Sequence, residues 1–412
     1  MTNTKPFDIS KAQVWQAWLQ VKANRGAPGI DKQSISDFES DLKNNLYRLW
    51  NRMASGSYFP PPVKAVSIAK KSGGQRILGV PTVADRIAQT VVTSFLNPLL
   101  DPLFHEDSYG YRPGKSPHQA LQVTRKRCWQ FDWVVEYDIR GLFDNIDHGL
   151  LNKALRKHCD TSWVLLYVNR WLCAPSQWPD GSLVQRDRGT PQGGPLSPLL
   201  ANLFLHYALD RWLSTHHPDV AFCRYADDGI LHCHTLDQAQ SLYQQIQQRL
   251  IECGLEIHPE KSRIVYCRDS RRTADYELIQ FDFLGFCFCP RKTVNRRTGD
   301  WFISFSPAPS IAARKSMNQK VRRWRLQMRS SLSLEQLAER LNPVIRGWMN
   351  YYSCFSRWQF YQSVGRHLDK ALVRWALRKF KSMRRHRNKA AAWLRRKRLE
   401  QSGLFAHWYR RA

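Results

Sequence analysis

Two short apolar stretches lie far apart in the chain, and each runs straight into carboxylates. Phe131 to Tyr137 ends in Asp138, and Phe222 to Tyr225 passes through Ala226 into Asp227-Asp228 before Ile230 and Leu231 resume the apolar run. Such runs, rich in aromatic and aliphatic residues, read as strands. A hairpin tip is made at least cost by Asn-Gly, whereas adjacent carboxylates repel each other. Hard divalent cations want oxygen ligands, and two of them roughly 3.5–4 Å apart suit in-line phosphoryl transfer. Two such strands side by side in one sheet would bring Asp138 next to Asp227. Each acidic segment taken alone fits an ordinary turn equally well, so the weight rests on their company.

The charge is distributed unevenly. Residues 307–412 hold 26 Lys and Arg, 19 of them Arg, against Glu335, Glu339, Asp369 and Glu400, a balance of +22 within a chain total of +29. A density of this kind repels itself unless a polyanion neutralises it, which phosphate backbones do with release of counterions. Nucleic acid is the strong reading and an anionic membrane surface the weaker one. Six tryptophans share the segment. Trp348, Tyr351, Tyr352 and Phe355 recur at helical spacing, so most of these rings are expected in a core. With 43% hydrophobic residues over 412 positions, there is apolar material for two or three domains.

No apolar run of eighteen residues occurs, so no bilayer helix and no membrane partner are expected. The start, Met1 to Ser10, has no apolar signal region. Ten cysteines contain no C-x-x-C pair, the closest being Cys287 and Cys289, which fits reduced thiols in a cytoplasm. A bacterial cytoplasmic protein, at the nucleoid when acting on DNA, is the expectation.

Local signals give the organisation. Asp8 or Ser10 caps a helix to about Asn24, and Lys64 to Ile68 with Arg76 to Leu78 form strands around a Lys70 to Gly74 tip. Thr82 to Leu100, Ser197 to Leu213 and Thr235 to Cys253 read as helices, with Gly254 ending the last. Phe281 to Cys289 reads as a strand hairpin. After Pro307 the pattern is wholly helical, and Ser333 with Gln336 makes a capping box. The fold class expected is α+β.

Seven segments follow in fixed order: Lys70 to Pro81; Tyr109-Gly110-Tyr111-Arg112-Pro113-Gly114; Asp138 to His148; Gly189 to Pro198; Tyr225-Ala226-Asp227-Asp228; Gly254 to Lys261; and Phe283-Leu284-Gly285-Phe286. This series resembles the reverse transcriptases encoded by bacterial and organellar group II introns, over nearly the whole chain. The resemblance implies a right-hand polymerase, fingers and palm, followed by an all-helical basic thumb. Its expected divisions are 1–125 for an N-terminal extension and fingers, 126–306 for a palm with part of the fingers, 307–382 for the thumb or maturase domain, and 383–412 for a basic segment assigned to DNA contact on charge alone.

The resemblance also implies roles. Asp138, Asp227 and Asp228 are the catalytic carboxylates and, with the Ile139 carbonyl, hold two Mg²⁺ ions. Lys70 and Arg76 grip the triphosphate of the incoming dNTP. Phe143 is the steric gate that selects deoxynucleotides, or else a core phenylalanine. Gln192 lies by the nascent base pair. Lys261 assists pyrophosphate departure, or is a surface lysine. Phe283, Leu284, Gly285 and Phe286 form the primer grip. Arg112 and Lys115 touch template phosphates, unless Arg112 pairs with Asp107. Arg322, Arg323, Arg384, Arg385, Arg387, Arg395, Arg396 and Arg398 bind nucleic acid.

The activity implied is RNA-directed DNA synthesis on intron RNA from a DNA primer during retrohoming, joined to a splicing-cofactor role. The partners are its own group II intron RNA and target DNA. The alternatives are a domesticated reverse transcriptase, or an RNA-binding maturase with little polymerase activity. Many relatives continue into an HNH endonuclease with cysteine pairs; none appear here, so second-strand cleavage is not expected.

Overall fold

The computed structural model describes residues 5–69, 74–295 and 297–408. The chain divides into two compact units, Met1–Ser116 with Val135–Ile264, and Pro117–Val134 with Val265–Ala412.

The first unit opens with the helix Lys11–Ala23, whose start is fixed by a reciprocal cap between Ser10 and Gln13. It buries Val14, Trp18 and Val21 and packs against Val83–Leu100. Thr82 caps that second helix, which buries the polar Asp85, Arg86, Gln89 and Thr90 together with its apolar residues. The strands Val63–Ala69 and Gln75–Val80 pair antiparallel, with Ile68 opposite Arg76. Lys70, at the tip between them, lies outside the described residues. Ser176–Gln177 and Leu183–Val184 extend this sheet.

A second four-stranded sheet runs Ala221–Tyr225, Asp228–Cys233, Trp133–Asp138, Arg263–Tyr266. The strand that leads into Asp138 therefore lies beside Asp228–Cys233, the strand that leaves the second pair of carboxylates, while Ala221–Tyr225, which leads into that pair, is at the sheet edge. The helix expected over 197–213 is interrupted. It runs as Ser197–Leu205, a wide turn over His206–Asp210, then Arg211–His216. Such π-turns are frequent at functional sites, and this one contains Asp210, which is fully buried against Arg224.

The second unit has a three-stranded sheet, Trp301–Pro309, Phe286–Val294, Phe281–Phe283. The strand thus continues through Pro307 instead of giving way to helix there. Trp301–Pro309 lies at the sheet edge, where a missing N–H is tolerated. Helix begins at Ile311, capped by Ser310. The helices Ile311–Arg323, Leu334–Tyr352, Arg366–Lys379 and Arg387–Glu400 follow, and Ser333 with Gln336 makes the expected capping box. Their core gathers Leu337, Ile345, Leu372, Trp375, Phe405 and Trp408. Among the described residues no helix is long and apolar enough to cross a membrane.

Candidate active site

Asp138 stands at the end of its strand, held from both sides. The Ile139 N–H donates to the Asp227 carbonyl at 3.2 Å. On the other side the His258 N–H donates to the Asp138 carbonyl at 2.8 Å, and the Asp138 N–H to Ser262 Oγ at 3.1 Å. The hairpin between Tyr225 and Asp228, which pair directly, turns on Ala226 and Asp227 alone. Asp228 is thus the first residue of the returning strand, not part of the turn. Ala226 sits in the left-handed region at φ 57°, which costs an L-residue roughly 1–2 kcal/mol.

What holds this turn is a network that sequence reasoning missed. Arg224, with no exposed surface, donates to both oxygens of Asp210 at 2.7 and 2.5 Å, to Asn202 Oδ1 at 3.1 Å, to the Ala226 carbonyl at 3.1 Å and to Ser108 Oγ at 2.8 Å. Every guanidinium nitrogen is used. The Tyr109 N–H donates to the Arg224 carbonyl, and Gly110 passes so close that a Cβ there would stand 2.4 Å from the Ala226 nitrogen. The one available signal was an arginine inside an otherwise apolar strand, since a buried charge needs a partner.

The three carboxylates are mutually close. Burial first, then the charges of Asp227 and Asp138 and a hydrogen bond with Asp138, push the Asp228 carboxyl far above the usual range. Burial and Asp138 also raise Asp227, against the pull of Arg76 and Lys261. Lys261 Nζ donates to both oxygens of Asp138, at 3.0 and 2.9 Å. Among the described residues no three His, Cys, Asp or Glu side chains form a ready-made metal cage. The donor set nonetheless fits hard divalent cations: the three side chains offer only carboxylate oxygens, and one lysine offsets only part of the concentrated negative charge. Asp138, Asp227 and Asp228 are the residues that would hold them.

Asp138, Ile139 and Asp227 line a cavity of about 1640 Å³ together with Arg76, Phe143, Gln192 and Lys261. The structure therefore gathers seven of the expected site residues around one space within the first unit. Phe143, on the short helix Leu142–Asn145, is partly exposed to it and meets Tyr111 edge-on at 6.3 Å between ring centres. Tyr111 was not foreseen; burial and the nearby Asp227 charge push its phenol up. Gln192 donates from Nε2 to Asp144 at 3.2 Å, and its carbonyl accepts from the Gly79 N–H at 2.9 Å, tying the Pro191–Gly194 turn to the strand Gln75–Val80.

Other expected residues stand elsewhere. Arg112 pairs with Asp101 rather than Asp107: all three of its nitrogens donate to Asp101 or to the carbonyls of Asp101, His105 and Ser108, and its side chain is 7% exposed. Asp107 accepts instead from Tyr109 Oη. A guanidinium consumed in this way leaves no fork for template phosphate, which corrects that expectation. Lys115 is partly exposed and donates to the Glu106 carbonyl. Phe283 and Phe286 are buried in the second unit, flanking a two-residue turn at Leu284 and Gly285, both at positive φ. Tyr351 Oη donates to the Leu284 carbonyl at 2.8 Å. Arg322, Arg323, Arg384, Arg385, Arg387, Arg395 and Arg396 are exposed, whereas Arg398 is tied to Tyr361 Oη and Asp369.

Carboxylates grouped on adjacent strands of a palm-like sheet, beside a cationic and aromatic cavity, describe a template-directed polymerase. A reverse transcriptase (RNA-dependent DNA polymerase) family model matches residues 68–288, more than half of the chain, which therefore belongs to that family. The group II intron maturase-specific domain matches residues 314–393, so the chain is of the group II intron-encoded kind.

Protein YkfC of Escherichia coli is 31% identical over 247 residues, covering 51% of this chain and 64% of that protein. The group II intron-encoded protein LtrA of Lactococcus lactis is 33% identical over 204 residues, covering 48% of this chain and 33% of that one. The chain spans less than two thirds of the length of either relative. Among solved structures, a telomerase from Candida albicans in complex with a fragment of telomeric RNA is similar at a TM-score of 0.48 and 12% identity, over 88% of this chain and 69% of that one.

Proposed function

We propose that this protein is an RNA-directed DNA polymerase that also serves as a splicing cofactor for its own group II intron RNA. It extends a DNA primer on that RNA with dNTPs at a target DNA site. The observation that carries the reading is the convergence of Asp138 on Asp227 at the wall of the Arg76, Phe143 and Gln192 cavity.

Two Mg²⁺ ions held by Asp138, Asp227, Asp228 and the Ile139 carbonyl would lower the pKa of the primer 3′-hydroxyl and neutralise charge on the departing pyrophosphate. The chain's own residues do the rest. Arg76, with Lys70, supplies forked and point-charge donors for the triphosphate. Phe143 sets its ring against the sugar and leaves no room for a 2′-hydroxyl. Gln192, fixed through its backbone to Gly79 and through its amide to Asp144, borders the nascent pair. Lys261, which donates to both oxygens of Asp138, is the cation for the leaving pyrophosphate. The helical module contributes the positive surface on which intron RNA and the template–primer duplex would lie.

Primer extension on an RNA template with Mg²⁺ and dNTPs tests the polymerase reading. DNA product from the parent and none from Asp227→Ala is the expected result. No product from the parent, or unchanged product from the variant, would end it. For the RNA role, replacing Arg384, Arg385 and Arg387 together is expected to flatten the salt dependence of intron-RNA binding; an unmoved slope would place that stretch clear of phosphates.

A further inference from the structure

The helices Arg366–Lys379 and Arg387–Glu400 enclose a cavity of about 980 Å³. Its floor is apolar: Val373 and Leu377 from one helix, Ala391 and Leu394 from the other, with the buried Trp408 beneath. Its rim is cationic. Arg366, Lys370 and Arg374 follow one another at four-residue steps and so share a face, and Arg387 and Arg395 share a face of the facing helix. All five are exposed, and among the described residues none has a hydrogen-bond or ion-pair partner.

The single carboxylate in the wall does not offset them. Asp369 accepts from Tyr361 Oη at 2.7 Å, Trp408 Nε1 at 2.8 Å and His407 Nε2 at 2.9 Å, with Arg398 a further 3.6 Å away. Its charge is spent inside the fold. Arg398 is occupied too, lying 4.9 Å over the Tyr361 ring. What remains facing the cavity is five uncompensated cations above an apolar floor.

A face that merely bears solvated charge has no reason to be concave or to keep its floor apolar. Backbone phosphates need the cations, yet they gain nothing from Val373, Leu377 and Leu394. The two features together match a ligand with an apolar plane and anionic flanks, and the volume falls within the range of small-molecule pockets.

We propose that this cavity seats one unstacked nucleotide of a single-stranded nucleic acid, its base on the apolar floor and its flanking phosphates on the two arginine rims. The inference rests on the reading that the helical module binds nucleic acid, and goes beyond it, because that reading needs charge alone.

The test uses the full chain and labelled single-stranded octamers, RNA and DNA, each with an intact or an abasic central position, followed by fluorescence anisotropy at fixed salt. The intact strand is expected to bind about tenfold more tightly than the abasic one, the scale of burying roughly 60 Å² of apolar surface. Ala391→Phe, at a half-buried wall position, fills the floor without altering charge and should erase that difference while leaving abasic affinity within about twofold. Val373→Phe should do the same, and each variant is read only when its circular dichroism matches the parent. Equal affinity of intact and abasic strands in the parent, or a preference that survives both folded variants, would overturn the proposal. Failure to bind a long intron transcript at all would instead overturn the nucleic-acid reading beneath it. A preference between the RNA and DNA octamers assigns the natural source.

Discussion

Gly110→Ala probes how tightly the catalytic turn is held. Gly110 does not adopt a positive φ, so alanine is conformationally acceptable there and any effect is steric. The new Cβ would stand 2.4 Å from the Ala226 nitrogen, 3.0 Å from the Tyr225 carbonyl carbon and 3.1 Å from the Ala226 Cα, whereas ordinary contact begins at 3.4 Å. All three are backbone atoms and no rotamer change relieves them. The Tyr225–Ala226 backbone must retreat by about 1 Å, carrying Asp227 with it. A misplacement of that size costs on the order of a hundredfold in rate, and overpacking of this kind about 1–3 kcal/mol in stability.

The assay is single-nucleotide primer extension with a parallel thermal melt. A fall in kcat of about a hundredfold with a folded protein is expected. Gly114→Ala is the matched control. Gly114 sits at φ 71° with nothing within 4 Å of a Cβ, so it should lose about 1 kcal/mol of stability and keep its activity. Parental kcat in a folded Gly110→Ala protein would refute the claim that this close approach sets the carboxylate position.

Two further outcomes are expected. Asp85, wholly buried, accepts from Tyr58, Trp171 and Gln89, yet burial pushes its carboxyl from 3.8 up to about 6. A carboxyl raised on folding stabilises most below its unfolded pKa and loses that contribution as pH climbs through its folded one, here roughly two units or about 3 kcal/mol. The non-titrating Asp85→Asn should therefore gain on the parent by up to about 3 kcal/mol between about pH 4 and pH 7 in urea unfolding; a difference flat with pH would contradict this. Phe143→Val should raise ribonucleotide incorporation by about tenfold to a hundredfold, and discrimination equal to the parent's would dismiss the gate.

Much of this arrangement is legible along the chain because its causes are local. Ser10, Thr82 and Ser333 each announce a helix start, and all three accept the expected backbone N–H. The apolar strands into Asp138 and Asp227 declare their own burial. Trp348, Tyr351, Tyr352 and Phe355, read as core from their helical spacing, are only partly buried, whereas Trp375 and Trp408 are fully buried and Trp358 is 66% exposed. What stayed hidden is the choice among distant partners. Nothing near Arg224 says that its carboxylate is Asp210 on a π-turn, and the apolar run 197–213 reads the same with or without that extra residue per turn. Asp107 is nearer to Arg112 in sequence than Asp101, yet Arg112 pairs with Asp101 while Asp107 accepts from the Tyr109 hydroxyl. Pro307 reads as a breaker unless its strand is known to lie at a sheet edge.

The central claim is that Asp138 acts on the chemistry and not on the hold over nucleic acid. Single-turnover addition of one dNTP by Asp138→Asn, with primer–template affinity measured on the same preparation, separates the two. A rate at least a thousandfold below the parent, at an affinity within about threefold, is the result this structure predicts. Incorporation close to the parent's rate would contradict it.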